Sequence, residues 1–427
     1  MKILWLCNII LPDFSQEFAV KKSPYGGWMT GMLHELEKEE GLDLSLCFPI
    51  RDKSRLKEGV CNKHHYYTFL CDLEDEGYDW KMVEDFEAIL EKSGPDVVHI
   101  WGTEYPHSAA MILACKKRGM LGRVAINIQG LVSVCQKHYL SGIPEEYRKL
   151  KDKNGKTLED GRDLFKKHGK YEIESLKAIK HVIGRTDWDR ACVEAVNPRA
   201  QYHFCNEILR DIFYQHAGRW EYEGCQKYRI FVSQASYPVK GFHYLLQALP
   251  MIIQKFPDTQ VYVAGANVMA QKEGNPYGAY LWRLVEQFGL SRYVNFLDRL
   301  DEEEMARQYR LANVFVSPSV IENSPNSLSE ARMIGVPTVV SYVGGAYCGM
   351  EFNKDGFLYP YHEPALLAYY VCKIFENKEG LCDKFSKCSV EKELRQKCAK
   401  AIADCNIQIY EEIINISPLD GRQQPGI

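Results

Sequence analysis

The sequence predicts an α/β protein made of two Rossmann-like, doubly wound domains, on three observations. Short runs of nearly all apolar residues alternate with stretches of helical period, once over residues 3–196 and again over 229–341. Such runs suit the strands of a parallel sheet, which helices cover on both faces so that neither side is polar. At 427 residues the chain also exceeds a single core, since a domain takes roughly 150 residues.

The first series begins with a strand at Ile3-Leu4-Trp5-Leu6-Cys7, a helix near Trp28 to Glu37 and a strand from Leu44 to Phe48. It continues through a helix near Met82 to Lys92, a strand from Asp96 to Ile100, a helix from Tyr105 to Lys117 and a strand from Val124 to Ile128. After a polar interruption come a Lys-rich helix around Leu164 to Lys180, the strand His181-Val182-Ile183 and a helix opened by Thr186 and Asp189. That last pair has the spacing of a capping box. Residues 215–226 mix small, polar and aromatic types without a period and are read as the linker. The second series runs strand Arg229 to Ser233, helix Phe242 to Lys255, strand Gln260 to Ala264, helix Tyr280 to Phe288 and strand Tyr293 to Leu297. Helix Asp301 to Tyr309, strand Val314 to Ser317, helix Pro325 to Ile334 and strand Thr338 to Ser341 complete it. The predicted division is residues 1–215, residues 216–389, and a C-terminal helix from Val390 to Glu412 with a frayed tail, over 390–427. Two such halves with their ligand loops facing each other would frame an interdomain cleft.

Composition narrows the function. Apolar residues make up 46% of the chain and charged residues 26%, so the chain can bury full cores. A formal charge of -4 leaves no global basic field for a nucleic-acid backbone. The 15 cysteines are an odd number without a C-x-x-C pair, which fits reduced thiols rather than a disulfide framework or a zinc site. Polar residues arrive at Asn8 before a signal-peptide core could finish, and no run of about 18 apolar residues exists to span a membrane. A cytoplasmic protein is expected.

The stretch from Ser317 to Glu330 is the most informative. Ser324 suits an N-cap and Pro325 the first helical position, so a helix should begin between Glu322 and Glu330. Its first turn, with Asn323, Ser324, Asn326 and Ser327 around it, offers amide donors and the positive end of a dipole to phosphate oxygens. Glu330 lies about 7.5 Å along the axis from Pro325, enough to reach from a diphosphate to a ribose. Glu322 falls in the loop on the other side of the phosphates, where a sugar would lie.

Two glutamates with seven residues between them, followed by Ala331 and Gly335-Val336-Pro337-Thr338-Val339-Val340, resemble the retaining glycosyltransferases of family 4, the group 1 transferases of GT-B fold. The resemblance runs over most of the chain. It implies that Glu322 contacts the donor sugar near the reacting carbon and that Glu330 holds the nucleotide ribose. Lys240-Gly241, after the strand at Arg229 to Ser233, matches the family's phosphate-neutralising lysine at a helix start. The family's arginine five residues before that lysine is Ala235 here, which leaves its part to Lys240 and backbone amides, or to Arg299 or Arg185.

Gly26 and Gly27, within Ser23-Pro24-Tyr25-Gly26-Gly27-Trp28, resemble the family's glycine loop, where a missing Cβ lets the backbone approach a phosphate or acceptor. Gly344-Gly345-Ala346 matches its second glycine pair, expected over the phosphate and sugar side of the donor. Many relatives place a histidine where Gln129 stands; its role in positioning the sugar is then open to Gln129, His107 or His138, although either histidine reads more readily as a surface or packing residue. Asn206, Glu207 and Arg210 also match a related subgroup and are expected to serve an interdomain structural role. His64-His65 has no metal-ligand spacing and is read as structural.

From Lys116 to Lys180 the chain has 16 Lys or Arg against 8 Asp or Glu. This stretch reads either as a face for anionic membrane or a lipid-diphosphate acceptor, or as an ordinary solvated helix. The expected partners are a nucleotide sugar and a carbohydrate or lipid-linked acceptor, with no nucleic acid, no cofactor and no metal. The resemblance implies sugar transfer to an acceptor hydroxyl with retention, in surface polysaccharide or glycoconjugate synthesis. The alternative is a catalytically silent nucleotide-sugar-binding partner subunit, which Ala235 and Gln129 keep open. An epimerase or a glycogen-type phosphorylase would share the architecture but fits the glutamate spacing and the chain length less well.

Overall fold

A computed structural model describes residues 1–21, 26–71 and 80–416. The chain folds into two compact units. The first comprises Met1–Ser133, Lys167–Ile208 and Cys398 onward, and the second Val134–Lys166 with Leu209–Lys397. The expected frayed tail over 417–427 and the residues Ser23-Pro24-Tyr25 of the glycine loop lie outside the described residues.

Among the described residues the first unit is built on an eight-stranded sheet in the order β3-β4-β2-β1-β5-β6-β7-β8. These strands are β1 Lys2–Leu6, β2 Asp43–Ile50, β3 Glu58–Cys61, β4 His64–Leu70, β5 Val97–Trp101, β6 Val124–Asn127, β7 His181–Gly184 and β8 Gln201–Phe204. All neighbours are parallel except β3 and β4. Every residue of β5, β6 and β7 is buried, as a strand covered on both faces requires. The β3-β4 hairpin turns on Asn62 and Lys63, both at positive φ, which matches the twist of a two-residue connection. His64 is structural, its ring bonding the Leu44 carbonyl and the Glu37 carboxylate. The Thr186–Asp189 capping box is present.

The second unit holds six parallel strands in the order β11-β10-β9-β12-β13-β14. They are β9 Arg229–Val232, β10 Gln260–Val263, β11 Val294–Phe296, β12 Val314–Ser317, β13 Thr338–Ser341 and β14 Phe357–Tyr359. The chain winds outward from β9 to β11, then returns to the other side of β9 with β12. That reversal makes a topological switch point between β9 and β12, where loops diverge and leave a crevice. Helices Phe242–Lys255 and Pro364–Glu376 pack together against this sheet, and Phe231, Tyr309 and Phe315 stack edge to face or tilted in its core.

Two expectations are corrected. The single helix from Val390 to Glu412 is two helices, Leu381–Gln396 and Ala399–Ile416. The break falls where the chain leaves the second unit for the first. Lys397 closes the earlier helix, with its carbonyl bonded by the Tyr214 hydroxyl. In the later helix, Tyr410 meets Trp5 Nε1 at 3.2 Å and His99 Nδ1 at 2.6 Å inside the first unit. The second correction concerns the helix after β12, which is Asn326–Ile334 with Pro325, not Ser324, in the capping position and no side-chain cap. No helix among the described residues is long and apolar enough to cross a membrane.

Candidate functional site

The second unit gathers its site from the loops at the carboxyl ends of β9, β12 and β13. Val320 N–H donates to the Val239 carbonyl at 2.9 Å, tying the β12 loop to the β9 loop. Gly241 sits at φ +64 beside Pro318, whose carbonyl oxygen lies only 1.9 Å from where a Cβ would stand, so no side chain fits there. Ser341 Oγ donates to the Ser319 carbonyl at 2.6 Å, and Gly345 N–H to the Glu322 carbonyl at 2.9 Å, which ties in the β13 loop. Gly344, at φ +50, approaches that same carbonyl so closely that a Cβ would lie 2.0 Å from it. The glycine pair after β13 thus clamps the backbone of Glu322.

These loops bring Lys240 and Glu322 together. Lys240 Nζ lies 2.6 Å from Glu322 Oε1, and Ser319 Oγ donates to the same oxygen at 2.9 Å. Burial works to lower the Lys240 pKa, but the Glu322 carboxylate and the Tyr237 hydroxyl outweigh it and hold the ammonium above its ordinary value. Lys240 is therefore a fixed cation, 19% exposed at its side chain. Asn323 is buried, while Ser324, Asn326 and Ser327 are partly exposed around the start of helix Asn326–Ile334.

Glu330 lies on that helix, 6% exposed, with its carboxylate held from two directions. Arg210 Nη2 donates to Oε1 at 2.8 Å, and the Tyr309 hydroxyl stands 3.1 Å from Oε2 and 3.0 Å from the Ser327 carbonyl. Burial raises the Glu330 pKa, with Arg210 and Tyr309 opposing. Neither partner was legible in the sequence as a member of the site. Arg210, expected as an interdomain structural residue, instead reaches a carboxylate 120 positions further along.

Other sequence candidates lie elsewhere. Arg299 is exposed in the loop after β11. Ala235 is 2% exposed in the core of the second unit. In the first unit Arg185 is committed to Glu207, an ion pair with both side chains almost fully buried, and its guanidinium also bonds the carbonyls of Ile128 and Gln129. Gln129 Nε2 donates to Glu207 at 2.8 Å and to Asn127 at 3.0 Å. His107 is packed beneath the surface, stacked on Tyr105 and beside Phe69 and Cys71, and burial pushes its pKa down to about 3. His138 is half-buried at the end of helix Val132–His138. Gly26 caps helix Gly27–Leu36 at φ +82, where a Cβ would meet Ile9 Cδ1 at 2.4 Å.

The first unit has its own switch point between β1 and β5, and a carboxyl that sequence reasoning passed over sits there. Glu104, in the loop after β5, has a buried Oε2 without a hydrogen-bond partner. That carboxylate fills the space over Gly102, at φ +108, where a Cβ would come within 2.6 Å of it. Burial raises its pKa to about 7, partly offset by backbone N–H groups and reinforced by Glu172 and Glu207. Glu172, by contrast, accepts bonds from Thr103, Val132 N–H and Ser133. Among the described residues no cluster of His, Cys, Asp and Glu could hold a metal ion.

Residues 226–377 match the family described as Glycosyl transferases group 1. A D-inositol 3-phosphate glycosyltransferase of Corynebacterium urealyticum is 33% identical over 132 residues, 30% of each chain. The chain thus spans under a third of that curated relative. A sucrose-phosphate synthase of Thermosynechococcus elongatus superimposes with a TM-score of 0.71 at 17% identity, covering 98% of this chain and 100% of that one. HepE of Anabaena, solved in complex with UDP, superimposes with a TM-score of 0.66 at 12% identity, covering 96% of this chain and all of the other. Over residues 226–377, which include the loops that hold Lys240, Glu322 and Glu330, the chain is thus similar to the group 1 glycosyl transferases, and over nearly its whole length it shares the GT-B fold of these solved structures.

Proposed function

We propose that this protein is a retaining, family 4-like glycosyltransferase that moves a sugar from a nucleoside-diphosphate sugar to an acceptor hydroxyl. The observation that carries the reading is the convergence of Lys240, Glu322 and the start of helix Asn326–Ile334 at one switch point, with Glu330 on the same helix. An anionic diphosphate fits against the Lys240 ammonium and the amides of the first helical turn. Glu330 then accepts from the ribose hydroxyls, and Glu322 from a hydroxyl of the sugar beside the reacting carbon. As the bond from the anomeric carbon to the diphosphate oxygen breaks, the acceptor oxygen bonds that carbon on the same face. Its proton passes to the departing diphosphate, whose growing charge Lys240 and the helix amides stabilise without a metal.

The first unit takes the acceptor in this reading, and the setting is cytoplasmic synthesis of a surface polysaccharide or glycoconjugate. Binding of UDP by HepE makes uridine nucleotides the first to try. The test is calorimetric titration with UDP-, GDP- and ADP-sugars, repeated on Glu330→Ala. Binding of one nucleotide class, weakened in the variant, supports the donor site; binding of none overturns it. Glu322→Ala separates a transferase from a silent binding subunit: a transferase loses turnover and keeps nucleotide affinity, whereas a binder has no turnover to lose.

A further inference from the structure

Three helices meet around Glu330: Asp211–Gln215, Glu302–Leu311 and Asn326–Ile334. Arg210, the residue before the first of them, lays its guanidinium 4.8 Å from the centre of the Phe213 ring and turns Nη2 to Glu330 Oε1. Its side chain is only 18% exposed and that of Glu330 8%. A carboxylate so withdrawn from water is costly unless a cation and hydrogen bonds replace its hydration. The Tyr309 hydroxyl has a single proton to share between the Ser327 carbonyl and Glu330 Oε2. Arg210 is therefore the one full positive charge among the groups bonded to this carboxylate.

We infer that Arg210 is a positioning residue of the donor site, holding the Glu330 carboxylate as an anion and aimed so that it can accept hydrogen bonds from a nucleotide ribose. The inference rests on the donor-site reading above and adds to it the group that keeps the site in its accepting state. The electrostatics agree in direction: burial raises the Glu330 pKa, Arg210 lowers it, and Glu302 on the neighbouring helix raises it further. Other charges packed against helix Asn326–Ile334 are engaged elsewhere, Glu393 and Asp355 both bonding Arg332. Strand β13, on its other flank, has no titratable side chain of the Asp, Glu, His, Lys or Arg kind. Without Arg210, burial and Glu302 would act on the Glu330 carboxyl with only the Tyr309 hydroxyl opposing them, which favours the protonated form. A protonated carboxyl presents a donor where the ribose needs an acceptor.

The test compares nucleotide-sugar affinity across pH in the wild type, Arg210→Met, Arg210→Lys and Tyr309→Phe. Nucleoside-diphosphate sugars are the probe because their diphosphate does not titrate in this range. Arg210→Met keeps the aliphatic stem over Phe213 and should lose affinity toward acid pH more steeply than the wild type, by about tenfold. Arg210→Lys should restore most of the wild-type profile, and Tyr309→Phe should steepen it in the same direction by less. A purely structural role would lower affinity equally at every pH, and that result overturns the inference. So does an unchanged Tyr309→Phe profile if Arg210→Met fails to fold. If the wild type binds no nucleotide sugar, the donor-site reading falls and takes this inference with it.

Discussion

The Lys240 ammonium and the Glu322 carboxylate form an ion pair at 2.6 Å, with Glu322 also accepting from Ser319. The pair joins the loops after β9 and β12, so each partner fixes the other before any ligand arrives. In the proposed reading, a diphosphate that engages Lys240 shares it with Glu322. Lys240→Met should therefore weaken nucleotide-sugar binding by about tenfold or more, since a charge-assisted contact is lost and Glu322 is left to repel the diphosphate. Glu322→Gln should keep nucleotide affinity within about threefold while turnover falls about a hundredfold or more. Calorimetry and initial rates on the two variants separate the roles; equal losses of affinity in both would contradict them.

Gly344 offers a test of the same loop from its backbone. Its φ of +50 and the 2.0 Å approach of a Cβ to the Glu322 carbonyl leave no room for a side chain. Gly344→Ala should push the Glu322 loop away and break the Gly345 bond to it, at about 1–3 kcal/mol of stability from backbone strain. Turnover should fall as far as it does in Glu322→Gln while the fold persists. Circular dichroism with a rate assay checks this, and full activity in the alanine variant would show that the clamp does not position Glu322.

Much of this site could be read from the chain because its logic is local. Helix Phe242–Lys255 and strands β12 and β13 have the boundaries their periodicity predicts, and Lys240, Glu322 and Glu330 stand out through the family resemblance of the segments that carry them. What could not be read is long-range pairing. Arg210 is one polar residue after an apolar run, and nothing near it announces a partner 120 positions away. The break at Lys397 is invisible for the same reason. An amphipathic pattern records that a face is buried, not which unit buries it, so Val390 to Glu412 reads as one helix although the chain changes units within it. Glu104 belongs to no motif, and only the fold shows its Oε2 to be buried.

Buried histidines set the response of the fold to acid. Burial pushes the pKa of His99 and of His107 in the first unit down to about 3, and that of His243 in the second to about 3. His181, 3.1 Å from the His203 ring, falls to about 4, first from burial and then from its charged neighbours. Each folded value lies below the roughly 6.5 of an unfolded histidine, so the unfolded chain binds more protons in between. Stability should therefore fall as pH drops from about 6.5 toward 4, with a slope steeper than one proton. Urea midpoints measured across that range check it; a constant midpoint would mean that these rings already carry charge in the fold.

Glu104 should act with the opposite sign. Its pKa of about 7 lies above that of an unfolded glutamate, so here the folded chain binds the extra proton. Its contribution is then most favourable below about pH 4.5 and is lost as pH rises through 7, where the carboxylate ionises beside Glu172 and Glu207 without a partner for Oε2. Glu104→Gln removes the charge but keeps the size. The variant should match the wild type at about pH 5 and exceed it by about 1–2 kcal/mol at about pH 8, after allowing for the amide's own unmet hydrogen bonds. The difference between the two urea curves isolates this group from the histidines, which are common to both proteins. A difference that does not change with pH would place the Glu104 titration outside this window and would mean that water or a backbone donor satisfies Oε2.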